Sequence, residues 1–306
     1  MSQSNTNIIN RRENPLIAVL ITCHNRRDTT LACLRALYEQ DVNFEVYLVD
    51  DGSIDGTSDA VKTHYPAVKL LQGDGNLFWC GGMRKAFSEA LKEGYDYYLW
   101  LNDDTMLEPK AISNLLDIHR DLTKRGHQDS IVAGSTRDSN TGKPTYGGAV
   151  RTKRWYSNKF EFLKPSQELQ ECDTMHGNCV LIPHSVVEKV GNIDAAFTHQ
   201  RGDIDYGLRA RQQNCSVWLA PGYIGNCDPN SLAGTWSDTK LSLYKRFQKV
   251  TGPKAFPFNE WTIFTRRHSG VFWFLYWTLP YIRAVIGYKN KNSSPIFFEK
   301  SKTENL

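Results

Sequence analysis

The sequence predicts an α/β protein with a mainly parallel central sheet, and three observations carry that expectation. The chain has 306 residues, 40% hydrophobic and 23% charged, enough to bury a large core without staples. Its first hundred residues contain unbroken apolar, β-branched runs, as strands buried on both faces require. Segments with helical spacing separate those runs, and strand–helix–strand in that rhythm implies right-handed crossovers.

Residues 1–14 are polar and patternless, a frayed tail. LIAVLIT, Leu16 to Thr22, is the first strand. Asp28 can cap the helix that follows, where Leu31, Leu34 and Leu37 recur at helical spacing. FEVYLVD, Phe44 to Asp50, is the second strand, and VKLLQ, Val68 to Gln72, is the third. The spacing predicts a helix from Gly82 to Gly94, then the strand YYLWLND, Tyr97 to Asp103. After Pro109 come a helix to about Arg125 and a strand from Ile131 to Thr136. Residues 137–171 show no period that orders them. CVLIP (Cys179 to Pro183), helical text to Val190, the polar-headed helix GDIDYGLRARQQN and VWLAP (Val217 to Pro221) complete the pattern. Ligands gather at the carboxyl ends of strands in such sheets, so the polar strand ends are the first candidates for a site.

Beyond Trp236 the rhythm stops. The expected organisation is therefore a tail at 1–14, an α/β unit at 15–235 and a helical, aromatic-rich extension at 236–306. Ser269 to Ile282 carries no charge, but it is shorter than the roughly 20 apolar residues of a spanning helix, and Pro280 interrupts it. Two readings stand: an interfacial helix with Trp273 and Trp277 at headgroup depth beside basic Lys289 and Lys291, or a helix packed on the α/β unit. The net charge of +4 suits a polyanionic small substrate or an acidic membrane face and does not call for nucleic acid. Seven cysteines with no Cys-x-x-Cys pair point to a reducing cytoplasm without structural zinc. Oligomerisation is left open.

Four short constellations carry chemistry. ITCHNRRD closes the first strand and offers Thr22, His24 and Asn25, with a flat ring suited to a nucleobase; an ordinary turn is the plain alternative. VDDGSIDGT places Asp50, Asp51 and Ser53 in a turn where a carboxylate can accept from a base or a ribose, or simply make an Asx turn. LWLNDDT sets Asp103 and Asp104 just past a buried strand, as hard oxygen ligands for Mn²⁺ or Mg²⁺, with a helix cap at Asp104 as the rival. GDIDYGLRAR brings Asp203 to a helix start, while Asp205 and Arg209 pair at i, i+4. Asp203 is a cap or a carboxylate base.

In order and spacing, these four resemble the family 2 glycosyltransferases of the GT-A fold, inverting enzymes that use a nucleotide-sugar donor. The resemblance runs from about Pro15 to about Asn230, and it implies a catalytic unit at 15–235 with a nucleotide-binding half at about 15–104 and an acceptor half at about 105–235. It implies donor binding by Thr22, His24, Asn25, Asp51, Ser53 and Asp103, metal binding by Asp104, and Asp203 as the base that deprotonates the acceptor hydroxyl. GNLFWCGGMRKA matches the family's donor loop, where Arg84 would pair with the diphosphate. Trp79, in that loop, would stack on a sugar face or pack in the core, and His176 and Gly177 would border the acceptor or lie in solvent. The chain departs from the pattern twice. Gly202 stands where the family has glutamate, and no histidine ligand follows Pro221 and Gly222, leaving water, Asn226 or the Cys227 thiol for that place. The details resemble a bacterial rhamnosyltransferase-like subgroup, implying a dTDP- or UDP-sugar donor and a glycan or lipid-linked oligosaccharide acceptor of surface polysaccharide synthesis. That chemistry takes place in the cytoplasm or at the inner membrane leaflet. The rivals are a sugar nucleotidyltransferase, whose Gly-rich basic signature is absent after the first strand, and a non-catalytic carbohydrate-binding protein on the same fold.

Overall fold

The computed structural model describes residues 15–152, 159–230, 234–286 and 297–298. The tail at 1–14 and the basic pair Lys289 and Lys291 lie outside the described residues.

The first half follows the expected rhythm: β1 (Ile17–Cys23), α1 (Arg27–Tyr38), β2 (Glu45–Asp50), α2 (Thr57–His64), β3 (Lys69–Gln72), α3 (Phe78–Ala90) and β4 (Tyr97–Leu101). A two-residue strand β5 (Met106–Leu107) precedes α4 (Ala111–Lys124) and β6 (Ser130–Ala133). The stretch without a readable period holds four short strands, β7 (Thr136–Arg137), β8 (Pro144–Tyr146), β9 (Gly148–Arg151) and β10 (Phe160–Leu163), and runs into β11 (Gln170–Cys172). Then come β12 (Thr174–Met175), β13 (Cys179–Pro183), α5 (His184–Val190), α6 (Gly202–Gln212), β14 (Ser216–Leu219) and β15 (Gly225–Asn226). The C-terminal part holds α7 (Leu243–Val250), α8 (Phe258–His268), α9 (Trp273–Ile286) and β16 (Phe297–Phe298).

Eight strands form the main sheet in the order β11-β14-β6-β13-β4-β1-β2-β3. Strands β3, β2, β1 and β4 are parallel, and so are β6 and β14. The sheet is nevertheless mixed, because β13 runs antiparallel between β4 and β6, and β11 antiparallel beside β14. An antiparallel neighbour needs no crossover helix, and the chain reaches β13 through the small β-structure that precedes it. Two four-stranded sheets lie beside the main one, β12-β9-β10-β16 and β5-β15-β7-β8. Each face of the main sheet carries its own core. Ala18 and Leu20 of β1 join Phe87, Tyr98, Trp100 and Tyr206, while Ile17, Val19 and Ile21 join Leu34, Leu37, Leu115 and Leu181. That alternation explains why β1 reads as one unbroken apolar run.

Helix α3 starts a turn earlier than the sequence suggests, so Gly81 and Gly82 lie inside it. Glycine weakens a helix by about 1 kcal/mol relative to alanine, but a side chain at Gly82 would collide with Thr22 Oγ1. The glycine lets α3 lie directly on the end of β1.

Among the described residues no helix is long and apolar enough to cross a membrane. Helix α9 packs on α8: Trp261 Nε1 donates to the Trp277 carbonyl at 3.0 Å, and Trp277 rests against Phe258 and Tyr281. Trp273 lies beneath the Arg266 guanidinium. The two tryptophans therefore belong to the packing side. The outward side presents Val271, Leu275, Leu279, Ile282 and Ile286 at helical spacing.

Candidate active site

The carboxyl ends of β1, β2 and β4 lie side by side, and the four constellations gather there. The loop after β1 is clasped to the loop after β2. Asn25, at a left-handed φ of 50°, donates its backbone N–H to Ser53 Oγ at 2.8 Å, and its Oδ1 accepts the N–H of Ile54 at 2.8 Å. His24 Nδ1 lies 2.6 Å from the Asp51 carbonyl, which only accepts, so Nδ1 donates. Its Nε2 then accepts from the Asn25 amide at 3.0 Å. The imidazole is thereby fixed in one tautomer and remains exposed.

Asp51 is 3% exposed, and both its oxygens are occupied, Oδ1 by the Gly75 N–H and Oδ2 by the Phe78 N–H, each at 2.9 Å. Its carboxylate thus builds the turn into α3, and a side chain at Gly73 would collide with it. Asp50 is likewise internal, accepting from the Ser53 N–H and the Ser58 hydroxyl. Thr22 is buried against Gly82. Of the residues assigned to the donor from sequence, His24, Asn25 and Ser53 stand at the cleft, whereas Thr22 and Asp51 shape it from beneath.

Asp103 and Asp104 follow β4 in a turn. Helix α4 begins only at Ala111, so Asp104 does not cap it. Asp103 is 6% exposed; burial pushes its carboxyl up to about 6 despite the opposing Arg26 charge. Its Oδ1 accepts from Arg26 Nη1 at 2.9 Å, and the same Nη1 reaches Asp104 Oδ2 at 2.8 Å. The second Asp103 oxygen is buried and has no hydrogen-bond partner. Asp104 Oδ1 accepts from the Cys227 thiol at 3.3 Å, whose sulfur in turn receives the Asn178 amide at 3.3 Å. Burial and the neighbouring Asp104 push that thiol up. Asn226 faces away, its Oδ1 taken by Arg137. Of the two side chains named for the place of the family's histidine, Cys227 is thus the one that touches Asp104.

The base candidate lies on the other wall. Asp203 Oδ2 accepts the Gly177 N–H at 3.1 Å and Oδ1 the Ile204 N–H at 2.8 Å, with no side-chain ion pair among the described residues. Gly177 lies so close to the Trp79 ring that any side chain would strike it. Trp79 is half-buried and donates through Nε1 to Asn102 Oδ1 at 2.7 Å. Gly177, Trp79 and Asn102 thus connect Asp203 to the acidic pair. Gly202, in the position of the family's glutamate, packs on Cys80 Sγ, which leaves no room for a side chain.

Two assignments made from sequence come out differently. Arg84 is bound to the carbonyls of Phe197 and Asp194 at 3.1 and 3.3 Å, where it braces the approach to α6. The arginine at the acidic pair is Arg26, which sequence reasoning passed over although it directly follows Asn25. His176 is half-buried against Phe162 and Tyr146, and its Nδ1 is buried without a partner. Burial pulls its pKa down. Also missed was His199, whose Nδ1 accepts the Trp79 N–H at 3.4 Å and which burial lowers to about 4, keeping it neutral.

Among the described residues no group of three or more His, Cys, Asp or Glu side chains forms a complete metal site. The residues present nevertheless fit a divalent cation held partly by substrate. The buried Asp103 oxygen lacks a partner, Asp104 borders it, and hard carboxylates plus phosphate oxygens are the usual donor set for Mg²⁺ or Mn²⁺.

The family description Glycosyl transferase family 2 matches residues 18–191. The chain is 27% identical over 216 residues to N-acetylglucosaminyl-diphospho-decaprenol L-rhamnosyltransferase of Mycobacterium tuberculosis, covering 64% of this chain and 69% of that protein. It is 24% identical over 154 residues to the low-salt glycan biosynthesis hexosyltransferase Agl10 of Haloferax volcanii, covering 49% and 48%. In fold it is similar to the mannosyltransferase PcManGT from Pyrobaculum calidifontis in complex with GDP-Man and Mn²⁺. That match has a TM-score of 0.52 and 15% identity, over 90% of this chain and 74% of the other.

Proposed function

This chain belongs to glycosyl transferase family 2, and from that premise we propose an inverting transfer of a sugar from a nucleoside-diphosphate donor to a hydroxyl of a glycan or lipid-linked acceptor. The observation that carries the reading is the meeting, at one end of the sheet, of the Asp103–Asp104 pair with the Trp79–Gly177–Asp203 wall. The rhamnosyltransferase relative favours a dTDP- or UDP-sugar, rhamnose first, and its name favours a polyprenyl-diphosphate acceptor. We take residues 15–235 as the catalytic unit and 236–306 as an extension.

In this reading the exposed His24–Asn25 turn receives the nucleobase, and Trp79 with Gly177 lines the path of the sugar and acceptor. Asp203, oriented by two backbone N–H groups, takes the proton of the attacking hydroxyl at a carboxylate oxygen. Attack from the face opposite the leaving diphosphate inverts the configuration in one displacement. Asp103 and Asp104 would hold Mn²⁺ or Mg²⁺, which when bound offsets the charge that develops on the leaving diphosphate. Chelation is expected to abolish transfer, added Mn²⁺ or Mg²⁺ to restore it, and Asp104→Ala to remain folded but inactive. Full activity after exhaustive chelation would show that the site works without a cation. Thermal-shift measurements of the purified protein against dTDP-, UDP- and GDP-sugars with Mn²⁺ test the donor class, since a bound donor stabilises by mass action. If none of the three stabilises the protein or supports transfer, the donor reading fails.

We also place the extension at the inner face of the cytoplasmic membrane. Leu275, Leu279, Ile282 and Ile286 of α9 and Val271 just before it are exposed, and α7, which packs on α9, exposes Leu243, Tyr244 and Phe247. Exposed apolar side chains on two packed helices suit an interaction surface. From Thr239 to Ile286 the chain has eight Lys or Arg residues and a single acid, Glu260, whose carboxylate turns inward to the Thr198 N–H. Apolar area combined with positive charge suits an anionic bilayer. Full-length protein is expected to float with phosphatidylglycerol-containing liposomes, and a Leu275→Glu, Leu279→Glu, Ile282→Glu variant to stay in the dense fraction. Equal flotation of the two would remove the membrane assignment.

A further inference from the structure

The Arg26 side chain is poised between two roles. One nitrogen, Nη1, donates to both Asp103 and Asp104, at 2.9 and 2.8 Å, so a single positive group neutralises a pair of adjacent carboxylates. Asp103 is deeply buried, and without a cation the pair would face its own repulsion. Yet the Arg26 side chain is 42% exposed, and ion pairs of exposed arginines are readily exchanged. Among the described residues its Nε and Nη2 make no hydrogen bond, and the buried second oxygen of Asp103 is not reached by the guanidinium. The residue also lines an open depression of about 330 Å³ with Asn25, Arg27, Asp28, Thr29 and Asp55. It therefore borders both the acidic pair and the turn that carries His24 and Asn25.

We propose that Arg26 is a displaceable internal counter-ion: it yields Asp103 and Asp104 to a divalent cation and, once freed, binds the diphosphate of the nucleotide donor. The second half rests on the donor reading above. The chemistry favours the exchange. A divalent ion supplies two charges and uses the Asp103 oxygen that Arg26 leaves unpaired, while a guanidinium suits a diphosphate because its fork can bind two phosphate oxygens together. Metal and nucleotide binding then reinforce each other, because the arginine displaced by one becomes a ligand for the other, and such coupling is reciprocal.

The test is Mn²⁺ binding to the full chain, followed by electron paramagnetic resonance, for wild type, Arg26→Gln and Arg26→Lys. Without nucleotide, Arg26→Gln is expected to bind Mn²⁺ about tenfold more tightly than wild type, with Arg26→Lys between them. With saturating UDP, GDP or dTDP, Mn²⁺ affinity rises in wild type, and the factor of that rise is expected to fall about tenfold in Arg26→Gln. Equal or weaker Mn²⁺ affinity of Arg26→Gln without nucleotide overturns the counter-ion role, as does a wild type that binds no Mn²⁺. An undiminished nucleotide effect in the variant overturns the diphosphate role. Wild type that binds Mn²⁺ but none of the three nucleotides overturns the donor reading and the diphosphate role with it; the metal-only measurement decides the counter-ion role by itself.

Discussion

Asp203→Asn is expected to give a folded protein with near-normal donor and Mn²⁺ binding whose rate of sugar transfer is lower by at least about 10²-fold. The substitution preserves what the structure shows the side chain doing. An asparagine Oδ1 can still accept the Gly177 or Ile204 N–H, so the start of α6 keeps its geometry. What it loses is the capacity to take a proton from an attacking hydroxyl. A carboxylate that served only to orient the Gly177 loop would give a variant within a few-fold of wild type in single-turnover transfer, and that result would place the base elsewhere. His199, also beside Trp79, is the next carrier to examine in that case.

The parallel half of the sheet was legible because it is written in long apolar runs. Strands β1 and β4 are buried on both faces, so every residue from Ile17 to Ile21 is apolar and no alternation obscures the reading. Strands β7 to β12 are two to four residues long, too short to show a period, and residues 137–171 therefore gave no order. The positions of the acidic motifs were legible for a related reason: a polar cluster directly after a buried strand must emerge at the sheet end. What each carboxylate does there was not. Asp51 and Asp103 have similar sequence surroundings, yet one is enclosed by backbone N–H groups while the other keeps an unpaired oxygen. That difference depends on whether a loop folds over the side chain, which adjacent residues do not encode. Arg84 and Arg26 show the same limit. Both are arginines near a motif, but only the packing of α3 against the Asp194–Phe197 turn draws Arg84 away from the cleft.

Replacing Asp205 by asparagine is expected to destabilise the fold by about 3–5 kcal/mol, the cost of breaking a buried ion pair from one side. The sequence alone suggested a helix-face i, i+4 pair with Arg209, worth only a few tenths of a kcal/mol. The structure changes that magnitude because Asp205 is 0% exposed and has three partners. Oδ2 accepts from Arg209 Nε at 2.7 Å, while Oδ1 accepts from His268 Nε2 at 2.9 Å and Arg267 Nη1 at 3.2 Å. Arg209 extends the network to the carbonyls of Val190 and Asn192, and Arg267 extends it to Asp194. One carboxylate thus ties α6 to the end of α5 and to α8 of the extension. An asparagine there presents an N–H₂ group to side chains that are themselves donors. For a chain of this size the loss corresponds to a thermal midpoint lower by roughly 10 °C. The pH dependence has a definite sign. Burial alone would raise the Asp205 pKa, but the hydrogen bonds from His268 and Arg209 outweigh it and hold the carboxyl below its ordinary value of 3.8. A lowered folded-state pKa means the contribution is complete above the unfolded value and lost as pH falls through the folded one. The stability gap between wild type and Asp205→Asn should therefore be widest near neutrality and close as the pH drops below about 4. Thermal unfolding of both proteins across that range, followed by circular dichroism, gives the measurement. A midpoint within about 2 °C of wild type at neutral pH would mean that the extension is held by its apolar contacts, Trp261 and Phe264 foremost, and not by this network.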